Sequence, residues 1–192
     1  MSKMLPVGWI AALAIVSSAL QFSSPLRATT IPRVDFEELT DASETIAAGR
    51  VTDSWAAWDP EHKYIWTHYR LSVTEIVKGT RVSTLEFAEP GGAIGDASMI
   101  VGGAIRYTAG ENVVIFLSRM PNGYLRTAGW SQGKYDLDSG GRLHGAALTG
   151  AEFVDTTAAR LGSSLSSLDG ISLNELRQKV TARVRATAGR VR

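Results

Sequence analysis

The stretch "YIWTHYRLSVTEIV", residues 64–77, decides the fold class of this chain. It is rich in β-branched and aromatic residues and alternates in character over a long span, as a β-strand with one buried face does. One predicted face carries Ile65, Thr67, Tyr69, Leu71 and Val73. The other carries Tyr64, Trp66, His68, Arg70 and Ser72. The apolar phase changes between residues 75 and 77, which predicts a β-bulge there.

Further strands are predicted on both sides of this stretch. The segment "TIAAGRVTDSWAAW", residues 45–58, predicts a first strand, in which Gly49 marks a bulge or a close approach of two backbones. The segment "VSTLEFAE", residues 82–89, predicts the next strand, and the continuous apolar run 113–117 predicts a strand at the centre of the sheet. Short strands separated by Gly-rich turns indicate a mostly β fold, and we expect an OB-like small β-barrel.

Two helices are expected to flank the strands. Asp35 and Glu38 have the spacing of a helix start, and Ser172 and Glu175 form the capping-box pattern of a second helix. The segment before Ser172 is rich in serine and poor in bulky side chains, which is typical of a linker. The predicted organisation is a signal peptide (1–28), a barrel domain with its leading helix (29–158), a Ser-rich linker (159–170) and a C-terminal amphipathic helix (171–187).

The N-terminus has the three-part layout of a secretory signal peptide. Lys3 precedes the apolar run 5–20, and Ala28 stands at a plausible cleavage point after a polar stretch. The alternative is an uncleaved membrane anchor, but a membrane span needs roughly twenty apolar residues, and this run is shorter and contains Pro6 and Gly8. We therefore expect an extracytoplasmic protein, secreted or periplasmic, with no stable membrane anchor after cleavage.

Charge and cysteine content narrow the function classes. Loss of Lys3 and Arg27 with the signal peptide leaves 18 basic and 19 acidic residues, and a nearly neutral chain has no electrostatic footprint for nucleic acid. The chain contains no cysteine, so the exported domain must be stabilised by its core and not by disulfides.

The glycine-rich stretch "EPGGAIGDASMIVGG", residues 89–103, is a candidate binding loop. Its glycines lack the spacing and the following helix of a dinucleotide site, and the Gly-Lys-Ser/Thr of a P-loop is absent, so the sequence predicts no nucleotide cofactor. Either a plain connection between strands or a functional loop fits this composition. The glycines that we single out are Gly91, Gly92, Gly95, Gly102 and Gly103.

No pattern for catalysis or metal binding stands out. Ser131 and Lys134 have an S-x-x-K spacing, but they lie between predicted strands and a structural turn explains them better. The three histidines, His62, His68 and His144, form no metal-ligand spacing. We predict no catalytic residue, metal or cofactor. A hydrolase whose site is assembled from distant residues is the alternative.

Aromatic residues cluster in the first predicted hairpin. Trp55, Trp58 and Trp66 are the candidate binding residues, because an exposed aromatic patch is typical of protein-interaction sites. Packing of these rings in the core is the other interpretation. We expect the glycine-rich loop and these aromatics together to form the recognition edge of a non-catalytic binding module for a peptide or protein partner outside the cytoplasm.

The segment "TIAAGRVTDSWAAWDPEHKYIWTHYRLSVTEIVKG" resembles the opening of uncharacterised exported bacterial proteins. The matching pieces are "FEEL" at 36–39, Gly49 and Val51, Ser54 and Trp55, Ile65 and Thr67, Val73 with Lys78 and Gly79, Gly91 and Gly92, 110–117, and 132–134. This resemblance implies export and no assigned activity. More distantly, residues 44–120 resemble netrin-like domains and tissue inhibitors of metalloproteinases, which implies an OB-type barrel and a protease-associated inhibitor or partner. The inhibitors act through an N-terminal cysteine, which this chain lacks.

Export makes a direct prediction. Mass spectrometry of the secreted or periplasmic protein should find a chain that starts near Thr29, because cleavage is expected after Ala28. A protein that retains Met1 in the membrane fraction would contradict this.

Overall fold

The computed structural model of the chain describes residues 29–145, 151–154 and 168–190. The predicted signal peptide, 1–28, and most of the predicted linker, 159–167, lie outside the described residues. Neither described helix is long and apolar enough to cross a membrane.

The fold is mostly β with two helices, as the sequence predicts. The first half contains β1 (Thr29–Pro32), α1 (Phe36–Ala42), β2 (Thr45–Trp58), β3 (Ile65–Lys78), β4 (Thr84–Pro90), β5 (Gly92–Ile94) and β6 (Ala97–Met99). The second half contains β7 (Asn112–Arg119), β8 (Leu125–Thr127), β9 (Lys134–Leu137), β10 (Leu143–Gly145), β11 (Ala151–Val154) and α2 (Leu173–Arg190).

A seven-stranded sheet forms the body of the protein. Its strands run in the order β10-β9-β7-β2-β3-β4, and β8 pairs with the far end of β7. Strands β1 and β11 form a separate parallel pair, and β5 and β6 form a small antiparallel hairpin. The prediction of a closed OB-like barrel is not confirmed, because no backbone ladder joins β4 to β8 in the described part of the chain.

The long strand pair confirms the alternation predicted for β3. Ile65, Tyr69 and Leu71 are buried, with exposed fractions of 2% or less. The register of β2 against β3 shifts where Ala47 faces Ile76 and Ile46 faces Lys78, so the predicted bulge near residue 77 is present. A Cβ at Gly49 would lie 2.4 Å from the Ser72 carbonyl oxygen, which confirms the predicted close approach.

Two apolar layers lie on opposite sides of the sheet, and β7 contributes to both. Val114 and Phe116 belong to the layer covered by the helices, whereas Val113, Ile115 and Leu117 belong to the other layer. A strand that is buried on both faces has a continuous run of apolar residues in its sequence. The central position predicted for 113–117 is therefore confirmed, since β7 lies between β2 and β9.

The two helices begin where the sequence predicts. Asp35 caps α1 with a capping box to Glu38, and the Glu175 carboxylate accepts from the Ser172 backbone N–H at 2.7 Å at the start of α2. Leu176 and Val180 of α2 are buried in the same layer as Phe36 and Leu39 of α1. The C-terminal helix is thus packed on the sheet, with about two fully buried side chains along its length.

A side chain connects β4 to β8 across a gap that no backbone ladder closes among the described residues, and we call this gap the seam. The Glu89 carboxylate at the end of β4 is completely buried and accepts a hydrogen bond from the Thr127 backbone N–H of β8 at 2.9 Å. Its other oxygen accepts from Arg126 Nε at 3.3 Å. β8 has only three residues, all paired with β7, so its link to β4 runs through this carboxylate. A side chain thus connects the two strands where no backbone ladder joins them in the described part of the chain.

Glu89 should make the stability of the protein depend on pH. Burial raises the pKa of Glu89 above its ordinary value of 4.5, against the opposing effects of Thr127 and Arg126. The folded protein therefore keeps this proton to higher pH than the unfolded chain, and the free energy of unfolding falls as the pH rises above 4.5. In urea unfolding over a pH series, the wild type should lose stability relative to Glu89→Gln as the pH increases.

The exposed carboxylate of Glu86 on the same strand supplies the control. A Glu86→Gln variant measures the pH dependence that any Glu-to-Gln change on β4 produces. If the free energy of unfolding, relative to the wild type, changes equally with pH in Glu89→Gln and Glu86→Gln, burial of Glu89 does not make stability depend on pH.

Candidate functional site

A row of partly exposed rings crosses the seam on one face of the sheet. We call it the aromatic strip, and it consists of Trp55, Trp66, His68, Tyr124, Arg126 and Trp130. The first three side chains come from the β2–β3 hairpin. Tyr124 immediately precedes β8, Arg126 belongs to β8, and Trp130 begins a short 3-10 helix (Trp130–Gly133).

The register of β2 against β3 builds the first part of the strip. Trp55 lies directly opposite His68, and their rings stack with centroids 5.4 Å apart and an interplanar angle of 10°. Tyr124 presents an edge to His68 at 5.1 Å and to Trp66 at 5.4 Å. Such edge-to-face contacts are favourable because the positive ring edge meets the negative ring face. Tyr124 thus joins the two β3 rings across the seam.

Strand alternation brings Arg126 to the same side. Side chains two apart on a strand share a face, so Arg126 follows Tyr124, while Leu125 and Thr127 enter the core. The Arg126 guanidinium carbon lies 3.9 Å from the Trp130 ring centroid, and the Arg126 side chain is only 13% exposed. A desolvated cation over a tryptophan ring is a strong contact of this class.

The charges around the strip are mostly paired. Arg70 lies over the Trp55 ring at 5.1 Å, and its Nη2 donates to Glu86 at 2.8 Å. Burial lowers the pKa of His68, with Glu86 acting in the opposite direction. The lowered pKa favours the neutral imidazole of His68, a form that suits stacking on Trp55.

Two polar atoms of the strip lack hydrogen-bond partners. Within the described ranges, the buried side-chain atoms without a partner are Thr40 Oγ1, Trp66 Nε1, Arg126 Nη2 and Ser131 Oγ. Two of these four are N–H donors on the strip. Buried donors are nearly always satisfied in folded proteins, so each exception needs an explanation.

The three tryptophans predicted to form one binding patch lie on two different faces of the β2–β3 hairpin. Trp55 and Trp66 lie on the strip, but Trp58 pairs with Ile65 and belongs to the opposite face of the hairpin. Trp58 stacks against His62 with centroids 6.4 Å apart and is 37% exposed. Odd and even positions of β2 face opposite ways, so this division was already present in the sequence.

The glycine-rich stretch is a small hairpin that packs on the Trp58 side. A Cβ at Gly92 would lie 2.8 Å from Thr67 Oγ1, and one at Gly91 would lie 2.8 Å from the Met99 carbonyl oxygen. Both glycines also have positive φ. The first pair of glycines is thus required for close packing against the end of the β2–β3 hairpin.

The remaining glycines lie at turns of this stretch. Gly95 has a φ of 57° between β5 and β6, and Gly102 and Gly103 form a turn after β6, with a φ of 77° at Gly103. Ile100, just before this turn, is 91% exposed. The segment therefore contributes an exposed apolar side chain near the hairpin tip, on the face opposite the aromatic strip.

The residues considered for catalysis do not converge. Ser131 Oγ is buried without a partner, whereas Lys134 Nζ donates to Glu111 at 2.8 Å and to the Arg106 carbonyl oxygen at 3.2 Å. His144 is paired with Asp138 at 2.9 Å. No group of three or more His, Cys, Asp or Glu side chains that could hold a metal occurs in the described ranges.

Comparison with known proteins gives no assignment: no protein-family model matches the chain, and neither the curated proteins nor the solved structures show a significant match. The evidence for function is therefore the geometry of the chain itself.

Trp130 occupies a strained backbone position. Its φ is 59°, a region that bulky residues rarely adopt, and it follows Gly129 with a φ of 64°. At an ordinary position glycine is less stable than alanine by about 0.4–1 kcal/mol. We expect the reverse here, with Trp130→Gly more stable than Trp130→Ala by about 1 kcal/mol in urea unfolding, because glycine relieves the positive φ.

The same pair of substitutions at Tyr124 is the control, since this neighbouring strip residue has a negative φ. Alanine should be the more stable of the two at Tyr124. If alanine is also the more stable at Trp130, that position is not strained.

Proposed function

We propose that this chain is an exported, non-catalytic binding module for a peptide or protein, and that the aromatic strip is its recognition surface. The observation that carries the proposal is the continuous contact of four partly exposed rings, those of Trp55, His68, Tyr124 and Trp66, on the face to which β8 also brings the Arg126–Trp130 pair. Tryptophan, tyrosine and arginine are the residues that dominate binding energy at protein interfaces.

The rigidity of the strip supports this function. Trp55 is stacked between His68 and Arg70, and Tyr124 contacts two rings at once. Aromatic side chains that are already held in place lose little conformational freedom when a partner binds. By contrast, hydrolysis needs a nucleophile and a base within hydrogen-bond reach. The contacts of Ser131 and Lys134 supply no such pair.

The export and the OB-like architecture belong to the same proposal. Export rests on the sequence of residues 1–28. The approach of β4 to β8 through Glu89 supports an OB-like arrangement whose last seam is bridged by a side chain. Partners would then be proteins or peptides outside the cytoplasm, and the strip would take the place of the usual ligand-binding face of such a fold.

The end of the β2–β3 hairpin is a second candidate surface. Ile100, Tyr64 and Trp58 are 91%, 56% and 37% exposed, and they lie on or beside the hairpin tip and the glycine-rich segment. This surface contains two parts of the recognition edge that the sequence predicts, Trp58 and the glycine-rich segment, but neither Trp55 nor Trp66. The aromatic strip is preferred because four of its rings contact one another in succession and because two of its side chains carry unpartnered donors.

Matched variants on the two faces of β2 separate these surfaces. Trp55→Ala and Trp58→Ala each remove an indole that stacks on a histidine, but on opposite faces. The exported protein and its variants would be immobilised and exposed to the extracytoplasmic fraction, with captured proteins identified by mass spectrometry. We expect Trp55→Ala and Tyr124→Ala to raise the Kd for the captured partner about 30-fold, as loss of a central aromatic anchor does.

The controls decide between the two surfaces. Trp58→Ala, and replacement of residues 93–101 by a short Gly-Ser connection, should leave the Kd within about twofold of the wild type. Loss of the partner in these two variants, with normal retention by Trp55→Ala, would move the site to the hairpin end. Full retention by all variants would remove both surfaces from consideration.

A further inference from the structure

The outer half of β2 has a partner strand on one side only. β7 pairs with residues 45–50 of β2, and the Val51 N–H donates to the Glu111 carbonyl oxygen at 2.9 Å just beyond that ladder. From residue 52 onward, β3 is the only strand that pairs with β2 in the described part of the chain. We call the side of residues 52–58 that faces away from β3 the open edge.

The register of the β2–β3 hairpin gives the direction of the backbone groups on the open edge. The Asp59 N–H donates to the Tyr64 carbonyl oxygen at 2.8 Å, so these residues form a hydrogen-bonded pair. Such pairs alternate along antiparallel strands with non-hydrogen-bonded pairs, whose N–H and C=O groups point away from the partner strand. The register therefore directs the backbone groups of Ser54, Ala56 and Trp58 to the open edge.

Most of these backbone groups have no hydrogen-bond partner. The Ser54 N–H donates to the neighbouring Asp53 carboxylate at 2.9 Å. Within the described residues, no hydrogen bond engages the N–H of Ala56 or Trp58, or the carbonyl oxygen of Ser54, Ala56 or Trp58. Ser54 and Trp58 are exposed. The glycine-rich segment covers a face of β2 and not this edge, because Gly92 lies against the Ala56 Cβ.

The open edge lacks the features that usually prevent a strand edge from pairing. Natural edge strands carry charges, prolines or bulges for this purpose. Residues 54–58, "SWAAW", contain neither a charge nor a proline, and residues 53–58 pair with β3 without a register shift. β4, an end strand of the sheet, differs, because it contains Glu86, Glu89 and Pro90 and lies against β8. The open edge is thus suited to pairing with another strand.

A second copy of the chain fits the open edge. Antiparallel pairing of two identical strands is two-fold symmetric and uses both open edges, so the assembly closes as a dimer. The middle residue of 52–58 is Trp55, and a two-fold axis there places Trp58 of each copy opposite Thr52 of the other. The added strand then ends at its hairpin turn, where the β7 side of the other copy begins.

The charges at the ends of the open edge favour an axis at Trp55. An axis one residue nearer the hairpin turn would place Asp53 opposite Asp59 of the other copy, and an axis two residues nearer would place it opposite Glu61. Like charges directly opposite each other are destabilising. The axis at Trp55 places Asp53 opposite Ala57 instead. An axis nearer β7 would overlap the part of β2 that β7 already pairs.

We infer that two copies of the chain pair in antiparallel fashion through residues 52–58 of β2, with Trp55 of each copy on the two-fold axis. This inference goes beyond the proposed function and does not depend on it. The Ala56 N–H donates to the Ser54 carbonyl oxygen of the other copy, and the Ser54 N–H exchanges its Asp53 acceptor for the Ala56 carbonyl oxygen. The axis is perpendicular to the sheet, so both Trp55 side chains lie on one face and the two aromatic strips adjoin.

Single cysteines test the position of the axis, because the chain has no cysteine of its own. A residue on the axis faces its own counterpart, and in a non-hydrogen-bonded pair the two Cα atoms lie about 4.5 Å apart, within the range of a disulfide. Under mild oxidation, Trp55→Cys should form a disulfide-linked dimer on non-reducing electrophoresis. Trp58→Cys is the matched control, because its counterpart would be displaced by about 20 Å along the strands.

Sedimentation equilibrium tests the association without changing a tryptophan. The wild type should form a dimer in a concentration-dependent manner. Ala56→Pro removes an N–H that faces away from β3, which an edge strand tolerates, and Ala56→Gly retains that N–H. Each dimer loses two hydrogen bonds in Ala56→Pro, so its Kd for dimerisation should rise about tenfold or more, whereas Ala56→Gly should still dimerise. Circular dichroism establishes that each variant is folded.

Any one of the following results would overturn the inference. They are a wild type that stays monomeric at every concentration, equal linkage of Trp55→Cys and Trp58→Cys, linkage of Ala57→Cys in place of Trp55→Cys, and equal Kd values for folded Ala56→Pro and Ala56→Gly. If Ala56→Pro does not fold, the cysteine variants decide. A monomeric wild type that still loses a captured partner in Trp55→Ala would leave the proposed function standing without the dimer.

Discussion

The buried carboxylate of Glu89 connects β4, an end strand of the sheet, to β8, which pairs with β7. Its Oε1 accepts from the Thr127 backbone N–H, and its Oε2 accepts from Arg126. These contacts fix β8 against β4, although β8 pairs by its backbone only with β7. The position of β8 in turn places Tyr124 beside Trp66 and His68 of β3. The Glu89 bridge therefore helps to fix the two halves of the aromatic strip relative to each other.

The contacts among Glu89, Arg126 and Trp130 include features that each cost free energy when taken alone. Burial of the Glu89 carboxylate is opposed by its loss of hydration, which is why its pKa is raised. Arg126 offsets part of that cost, and the Trp130 ring shields Arg126 from water at 3.9 Å. Trp130 reaches this position only with a positive φ. Strained or incompletely paired groups of this kind concentrate at functional sites, because elsewhere nothing offsets their cost.

Local patterns predict most of the fold, and long-range pairing explains what they miss. Alternation predicts the buried face of β3, the Gly49 contact and the bulge near residue 77, since each depends on neighbours along the strand pair. The open seam depends on Glu89 meeting Thr127, residues that are 38 positions apart, and a glutamate in a strand ordinarily faces solvent. For the site, Trp55 and Trp66 could be predicted from the hairpin. No local signal predicts that Tyr124 contacts β3 or that Trp130, at the start of a 3-10 helix, packs on Arg126.

The open seam and the candidate site share the same side chains, because Glu89 contacts both β8 and Arg126. In a closed barrel, a carbonyl of β4 would accept from the Thr127 N–H, and the strand pair would need no carboxylate. Here a side chain supplies the acceptor, and the same carboxylate has a second oxygen that orients the Arg126 guanidinium. Arg126 Nη2 is buried without a hydrogen-bond partner among the described residues, while the guanidinium lies over the Trp130 ring. The departure from barrel closure therefore also positions Arg126 against Trp130 in the candidate site.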